Sequence, residues 1–136
     1  YEKFWEVFQA AYKEIKKKNK PYYVNEYGSR IRLYCEDIIY FESDRRKVRV
    51  YTKDTSHEFY GKLTDVYEEL KENDFIHVHK SYLVNMIYIK GFHQYQLELN
   101  DGLIIPISEN RKKDARAEYA RFSTRKYHIS RGSHHE

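Results

Sequence analysis

Arg45, Arg46, Lys47 and Arg49 put four cations within five positions, and Lys80-Ser81 and Asn110-Arg111 place further cations, a hydroxyl and an amide beside apolar stretches. Guanidinium, ammonium, hydroxyl and amide groups grip phosphate oxygens and read base edges, so this set has the donors that nucleic-acid recognition uses. A basic run is equally what a solvated turn looks like, so the cluster alone does not decide the matter. His77 and His79 alternate on one stretch and are a beginning of a zinc or nickel site, but no third ligand stands at a definable spacing, with His57 and His93 unplaced. They read as structural histidines. Ser43, Ser81 and Ser108 lie next to strand-like segments, yet none sits in a G-x-S-x-G elbow; there is no distinctive carboxylate pair and no glycine-rich phosphate loop. The chain reads as a non-enzyme that needs no cofactor or metal.

The 136 residues fit one domain with an appendage. Aromatics make up 17% while glycine and proline are scarce, which argues against disorder away from the termini. The net charge of +4 conceals an asymmetry: residues 1–20 hold six Lys against three Glu, residues 111–136 hold eight Lys and Arg against three acids, and the middle has 11 basic and 15 acidic residues. Overall basicity therefore says little about partners; local placement says more. Cys35 is the single cysteine, which excludes an intrachain disulfide and fits a reducing compartment, where it reads as a small buried hydrophobe. No apolar run approaches the roughly 20 residues that span a bilayer. A cytoplasmic location is the expectation. The ending R-G-S-H-H-E, Arg131 to Glu136, resembles an expression-tag scar and is set aside.

The donors must be held by elements that the spacing reveals. Phe4, Trp5, Phe8, Ala11, Tyr12 and Ile15 form an amphipathic helical stripe, which ends where Lys16, Lys17, Lys18 and Lys20 precede Pro21. From Tyr22 the period changes to two, through Val24, Ile31 and Leu33 with a turn at Gly28-Ser29. Ile38 to Phe41 and Val48 to Tyr51 follow as strands joined by a hairpin loop over Ser43 to Arg46. His57 to Tyr60 is another strand, before a helix on which Leu63, Val66, Tyr67 and Leu70 share a face, with Thr64 or Gly61 near its start. Asn73-Asp74 stops that helix. Phe75-Ile76 and Leu83-Val84 bracket His77 to Ser81, and a hairpin from Met86 to Leu99 leads to the tight turn Asn100-Asp101-Gly102 and a strand over Leu103 to Ile107. Asn110 to Phe122 has helix-forming residues with a basic face, and a flexible tail is expected from Ser123 to Glu136.

Five blocks stand in order along this frame: E-D-I-I-Y-F-E-S (Glu36 to Ser43), R-R-K-V-R-V (Arg45 to Val50), F-Y-G-K-L (Phe59 to Leu63), F-I-H-V-H-K-S-Y-L-V-N (Phe75 to Asn85) and I-P-I-S (Ile105 to Ser108). In that order and spacing the chain resembles the LytTR family, the DNA-binding output domain of many bacterial response regulators, over about Tyr22 to Phe122. The resemblance implies a mainly β fold with short helices, an elongated arrangement of antiparallel β-sheets over residues 21–122. Residues 1–20 are then a linker helix or the end of a missing receiver domain. It implies duplex DNA as partner, read from loops and not from a recognition helix, with paired half-sites and a homodimer on DNA, an upstream receiver and a histidine kinase. By position the first loop contributes Arg46, Lys47 and Val48 beside Arg45 and Arg49; the second contributes Lys80 and Ser81; the third contributes Asn110 or Arg111. Val48 departs from the family pattern, since a position able to carry a base-contacting histidine holds an apolar side chain. Base reading from the first loop is therefore not expected, and its cations are assigned to phosphate. Glu42 is expected to orient Arg45 or Arg49, and Asn85 to satisfy turn backbone. A protein-interaction or sensory β-module is the alternative, and an RNA-binding β-platform a third reading.

Overall fold

Alternation with period two builds most of this chain. The computed structural model describes residues 20–134, with side chains as far as residue 125, so the helix predicted for residues 1–20 lies outside the described residues save for Lys20. In β1 (Pro21–Glu26) Tyr22 and Val24 are buried while Tyr23 and Asn25 face solvent, and β1 pairs with β2 (Ser29–Tyr34) around the turn Tyr27-Gly28. β3 (Ile38–Asp44), β4 (Lys47–Thr52) and β5 (Ser56–Tyr60) form a meander. Helix α1 (Leu63–Leu70) follows, buries Leu63, Val66 and Leu70, and continues as a 3-10 turn until Asp74 takes a left-handed conformation with φ 68°. Its N-cap is Lys62, with no side-chain capping bond, so the capping role sought at Gly61 or Thr64 is not filled by either.

β6 (Phe75–His79) and β7 (Tyr82–Asn85) complete a five-stranded antiparallel sheet in the order β5-β4-β3-β7-β6, and β8 (Ile89–Phe92), β9 (Gln96–Leu99) and β10 (Ile104–Pro106) form a separate three-stranded sheet. The predicted Asp101-Gly102 turn is present, with Gly102 at φ 90° and the Leu103 amide donating to the Asp101 carboxylate at 3.0 Å. A 3-10 turn over Glu109–Arg111 leads into α2 (Lys112–His134), which stays helical past Ser123, where composition suggested a tail.

The pleat of the central sheet sends its apolar residues to both sides. Phe41, Val48, Val50, Phe75 and Leu83 pack with Tyr22, Val24 and α1, while Ile76, Val78 and Val84 pack with Leu97, Leu99, Ile105, Ala115 and Phe122 from the second sheet and α2. Fully burying a side chain such as Phe41 or Phe75 is worth about 1.5–3 kcal/mol, so the two clusters carry most of the stabilisation. Asn85 is the one buried polar residue among those described. Its amide donates to the carbonyls of Cys35 at 3.1 Å and Ile38 at 2.9 Å, and its side-chain oxygen accepts from the Ile87 amide at 3.3 Å. That is the backbone-satisfying role expected of it. Cys35 is buried with a free thiol, which burial pushes up to about 11, so it packs as a small hydrophobe.

Candidate nucleic-acid interface

Strand direction decides which loops meet. In an antiparallel sheet the end of β3, the start of β4, the end of β5, the end of β6 and the start of β7 share one edge of the molecule. The turn Arg45-Arg46 and the turn Lys80-Ser81 are therefore neighbours, and the Ser43 amide donates to the Ser81 carbonyl at 2.8 Å. The third segment is tied to the same edge through Ser108, whose amide and hydroxyl donate to the Val78 carbonyl at 2.9 and 3.3 Å. Three loops far apart in sequence are thus joined by backbone hydrogen bonds.

The first loop is shorter than the Ser43 to Arg46 loop expected from the sequence. The Asp44 and Lys47 pair closes the ladder, and only Arg45 and Arg46 remain in the turn, Arg45 with φ 62°. Both are exposed and form no ion pair among the described residues. The next two cations differ. Lys47 and Arg49 lie on one face of β4, where Glu58 takes both: Lys47 Nζ at 3.0 Å and Arg49 Nη2 at 2.9 Å. Arg49, by its hydrogen bond above all, together with Lys47 holds the Glu58 carboxyl below the usual carboxylate range. Glu42 lies 4.0 Å from Arg49 and accepts from the Tyr51 hydroxyl at 3.4 Å, so of the two partners expected for it Arg49 is the one it approaches. Val48 points the other way and is fully buried, which explains its apolar identity.

In the second loop Lys80 is exposed and Ser81 half-buried. A β-bulge between His77 and His79 precedes them, and the Ser81 amide donates to His79 Nδ1 at 3.0 Å, so this imidazole pins the turn. Desolvation first, then Lys80 and Arg111, lower the His79 pKa and keep that nitrogen an acceptor. His77 sits against Tyr67 of α1 with ring centroids 5.8 Å apart, and its Nε2 is buried without a hydrogen-bond partner among the described residues; burial, with Arg111 nearby, pulls its pKa down to about 4. In the third loop Asn110 is exposed and Arg111 half-buried, with its charge felt by His77, His79 and Tyr67. Among the described residues no three His, Cys, Asp or Glu gather as a metal cage.

One cation at this edge escaped the sequence reading. The Gly61 amide donates to the Arg46 carbonyl at 3.1 Å, which sets exposed Lys62 beside the first turn. Counting strand parity was the available signal, since β5 must end at the edge where β3 ends.

The arrangement offers an amide, and cations unpaired among the described residues, on a scaffolded edge. The LytTr DNA-binding domain family matches residues 28–119. Sensory transduction protein LytT of Bacillus subtilis is 36% identical over 84 residues, 58% of this chain and 35% of that protein. Transcriptional regulatory protein NatR of the same organism is 35% identical over 60 residues, 44% of this chain and 26% of that protein. The matched region thus spans about a third or less of these curated relatives. A solved LytTr DNA-binding domain from Bacillus cereus superposes with a TM-score of 0.63 at 20% identity, covering 72% of this chain and 94% of that one.

Proposed function

Since this chain belongs to the LytTR DNA-binding domain family, we propose that it is the sequence-specific duplex-DNA-binding output domain of a two-component response regulator and works by presenting three loops at one edge of its central sheet. The observation that carries this reading is the stitching of those loops by the Ser43 to Ser81 and Ser108 to Val78 hydrogen bonds, which brings Arg45, Arg46 and Lys80, without ion pairs among the described residues, and exposed Asn110 to a common edge. Arg45 and Arg46 hold phosphate. Lys80 and Ser81 face base edges from the better-scaffolded turn, and Asn110 suits the paired donor and acceptor of adenine, with Arg111 beside it toward phosphate or guanine. Lys47 and Arg49, engaged by Glu58, shape the surface and add positive potential. A receiver domain upstream, controlled by a histidine kinase in the cytoplasm, sets how two copies meet on paired half-sites. No helix among the described residues is long and apolar enough to cross a membrane.

Selection from a random duplex library tests the proposal. A preferred sequence should emerge, and affinity for it should fall steeply with salt because each neutralised phosphate releases counterions. Equal affinity for random and selected duplexes would sink it.

A further inference from the structure

We infer that a fourth element, formed by Tyr27, Tyr60 and Lys62, extends the contact edge and grips the sugar-phosphate backbone of the same duplex beyond the reach of the three loops. The inference rests on the DNA-binding reading above and adds a surface to it. Tyr60 ends β5 opposite Lys47 and is 75% exposed, with the Lys47 ammonium 5.4 Å from its ring centre. Tyr27 is 84% exposed and follows Glu26, whose carboxylate accepts from the Glu58 amide at 2.7 Å and meets His57 Nδ1 at 2.9 Å, so the β1–β2 turn is tied to β5, the strand that Tyr60 ends. Lys62 is exposed, forms no ion pair among the described residues, and is set beside the first turn by the Gly61 to Arg46 hydrogen bond.

Folding does not account for the Tyr27 ring. With φ 48° at Tyr27 and 84° at Gly28, this is a two-residue hairpin turn of the kind that asparagine, aspartate or glycine occupies at least cost. A bulky residue in the left-handed region is strained, and here its ring faces solvent and joins neither of the two clusters formed by the described residues. The partner chemistry follows from the groups at hand. Two phenols donate to phosphate oxygens, their rings cover deoxyribose, and Lys62 supplies a charge, with Arg46 and Lys47 bordering the patch. A nucleic-acid backbone fits this patch better than a protein does, because Lys62 and Arg46, neither with an ion pair among the described residues, border two separate exposed tyrosines.

The test uses the whole chain and a selected duplex shortened stepwise from each end, followed by fluorescence anisotropy. Removing base pairs from one flank, outside the segment whose bases are read, should weaken the parent about five- to tenfold through lost phosphate contacts. A variant carrying Tyr27→Asn, Tyr60→Ser and Lys62→Ala should bind long and short duplexes alike, keep the same base preference, and lose about one unit of slope in log K against log salt. Tyr27→Asn alone should raise the melting temperature while lowering affinity, a divergence that a purely structural tyrosine would not give. The proposal is overturned if the parent is insensitive to shortening, if the variant keeps the parent's length dependence, or if a single strand of the same sequence binds as tightly as the duplex. A parent that binds no duplex at all refutes the family-based reading itself, whereas a parent that selects a sequence but ignores its flanks refutes only the fourth element.

Discussion

The two hairpin tips at the contact edge are built on different plans. The Arg45-Arg46 tip is a two-residue turn, rich in charge, with a left-handed arginine, held through strand register, a bond from Gly61 and the Ser43 to Ser81 bond that it shares with the second tip. The Lys80-Ser81 tip carries a single cation, but a bulge, the His79 side chain, the Ser43 amide and the Ser108 amide all fix its position. Phosphate is recognised by charge at a tolerant distance, whereas a base edge demands a donor held in place. Much charge on a light scaffold and little charge on a heavy one are two solutions to those two tasks.

The largest expected effect separates the tips directly. Lys80→Ala should relax preference at a particular base pair by about 1–3 kcal/mol, and Asn110→Ala should do the same at another, both seen by selecting binding sites with each variant. If either variant weakens all duplexes equally, the second and third loops serve phosphate and the comparison collapses.

Next in size is the pH dependence of the scaffold beneath the second tip. The folded pKa of His77, about 4, lies below the ordinary 6.5, so the unfolded chain takes up the proton first. Its contribution is fully present above pH 6.5 and is lost as pH falls through 4, with a size of about 1–2 kcal/mol after discounting for partial exposure. Glu26 and Glu58, with lowered pKa values, lose their contribution below 4.5, and Glu118, raised by burial, acts in the opposite sense above it. The readout is therefore the difference between parent and His77→Leu in urea unfolding between pH 6.5 and 4.5, where the variant should have the flatter profile.

Arg46→Ala should weaken every duplex alike by about 1 kcal/mol or less at moderate salt and remove about one unit from the salt slope. A changed base preference would show that the first tip reads sequence after all. The smallest effect is on the turn itself: Arg45→Gly should raise unfolding stability by about 0.5–1 kcal/mol by relieving the left-handed conformation, while still lowering DNA affinity. Loss of stability would mean that Arg45 holds the tip together.

Much of this frame is legible from alternation and turn chemistry. Val48 and Val50 opposite Lys47 and Arg49, the Leu63, Val66 and Leu70 face, and Asp101-Gly102 all mark their elements by period or by φ requirement. The division of the basic cluster is not legible that way, because it depends on Glu58 arriving from the next strand to engage two of its four cations. Nor is the insertion of β7 beside β3, since both faces of β7 are apolar and its partner is fixed by packing from two sides. The bulge before Lys80 leaves no local sequence sign. The cations of Arg45 and Lys80 were found by type, but what each can do was set by hydrogen bonds between residues dozens of positions apart.

The central sheet is a wall common to two clusters: Leu83 of β7 belongs to one and Val84 to the other. Neither side can melt while leaving the other a complete surface, so the domain should unfold as a single cooperative unit, with the β3 and β7 amides exchanging hydrogen only through global opening. A cavity cut at Leu97 in the outer sheet should then speed exchange around Phe41 as much as around its own neighbours. For a protein that must keep its loops in register, this means that damage anywhere is sensed everywhere, and partly opened forms are scarce targets for proteolysis.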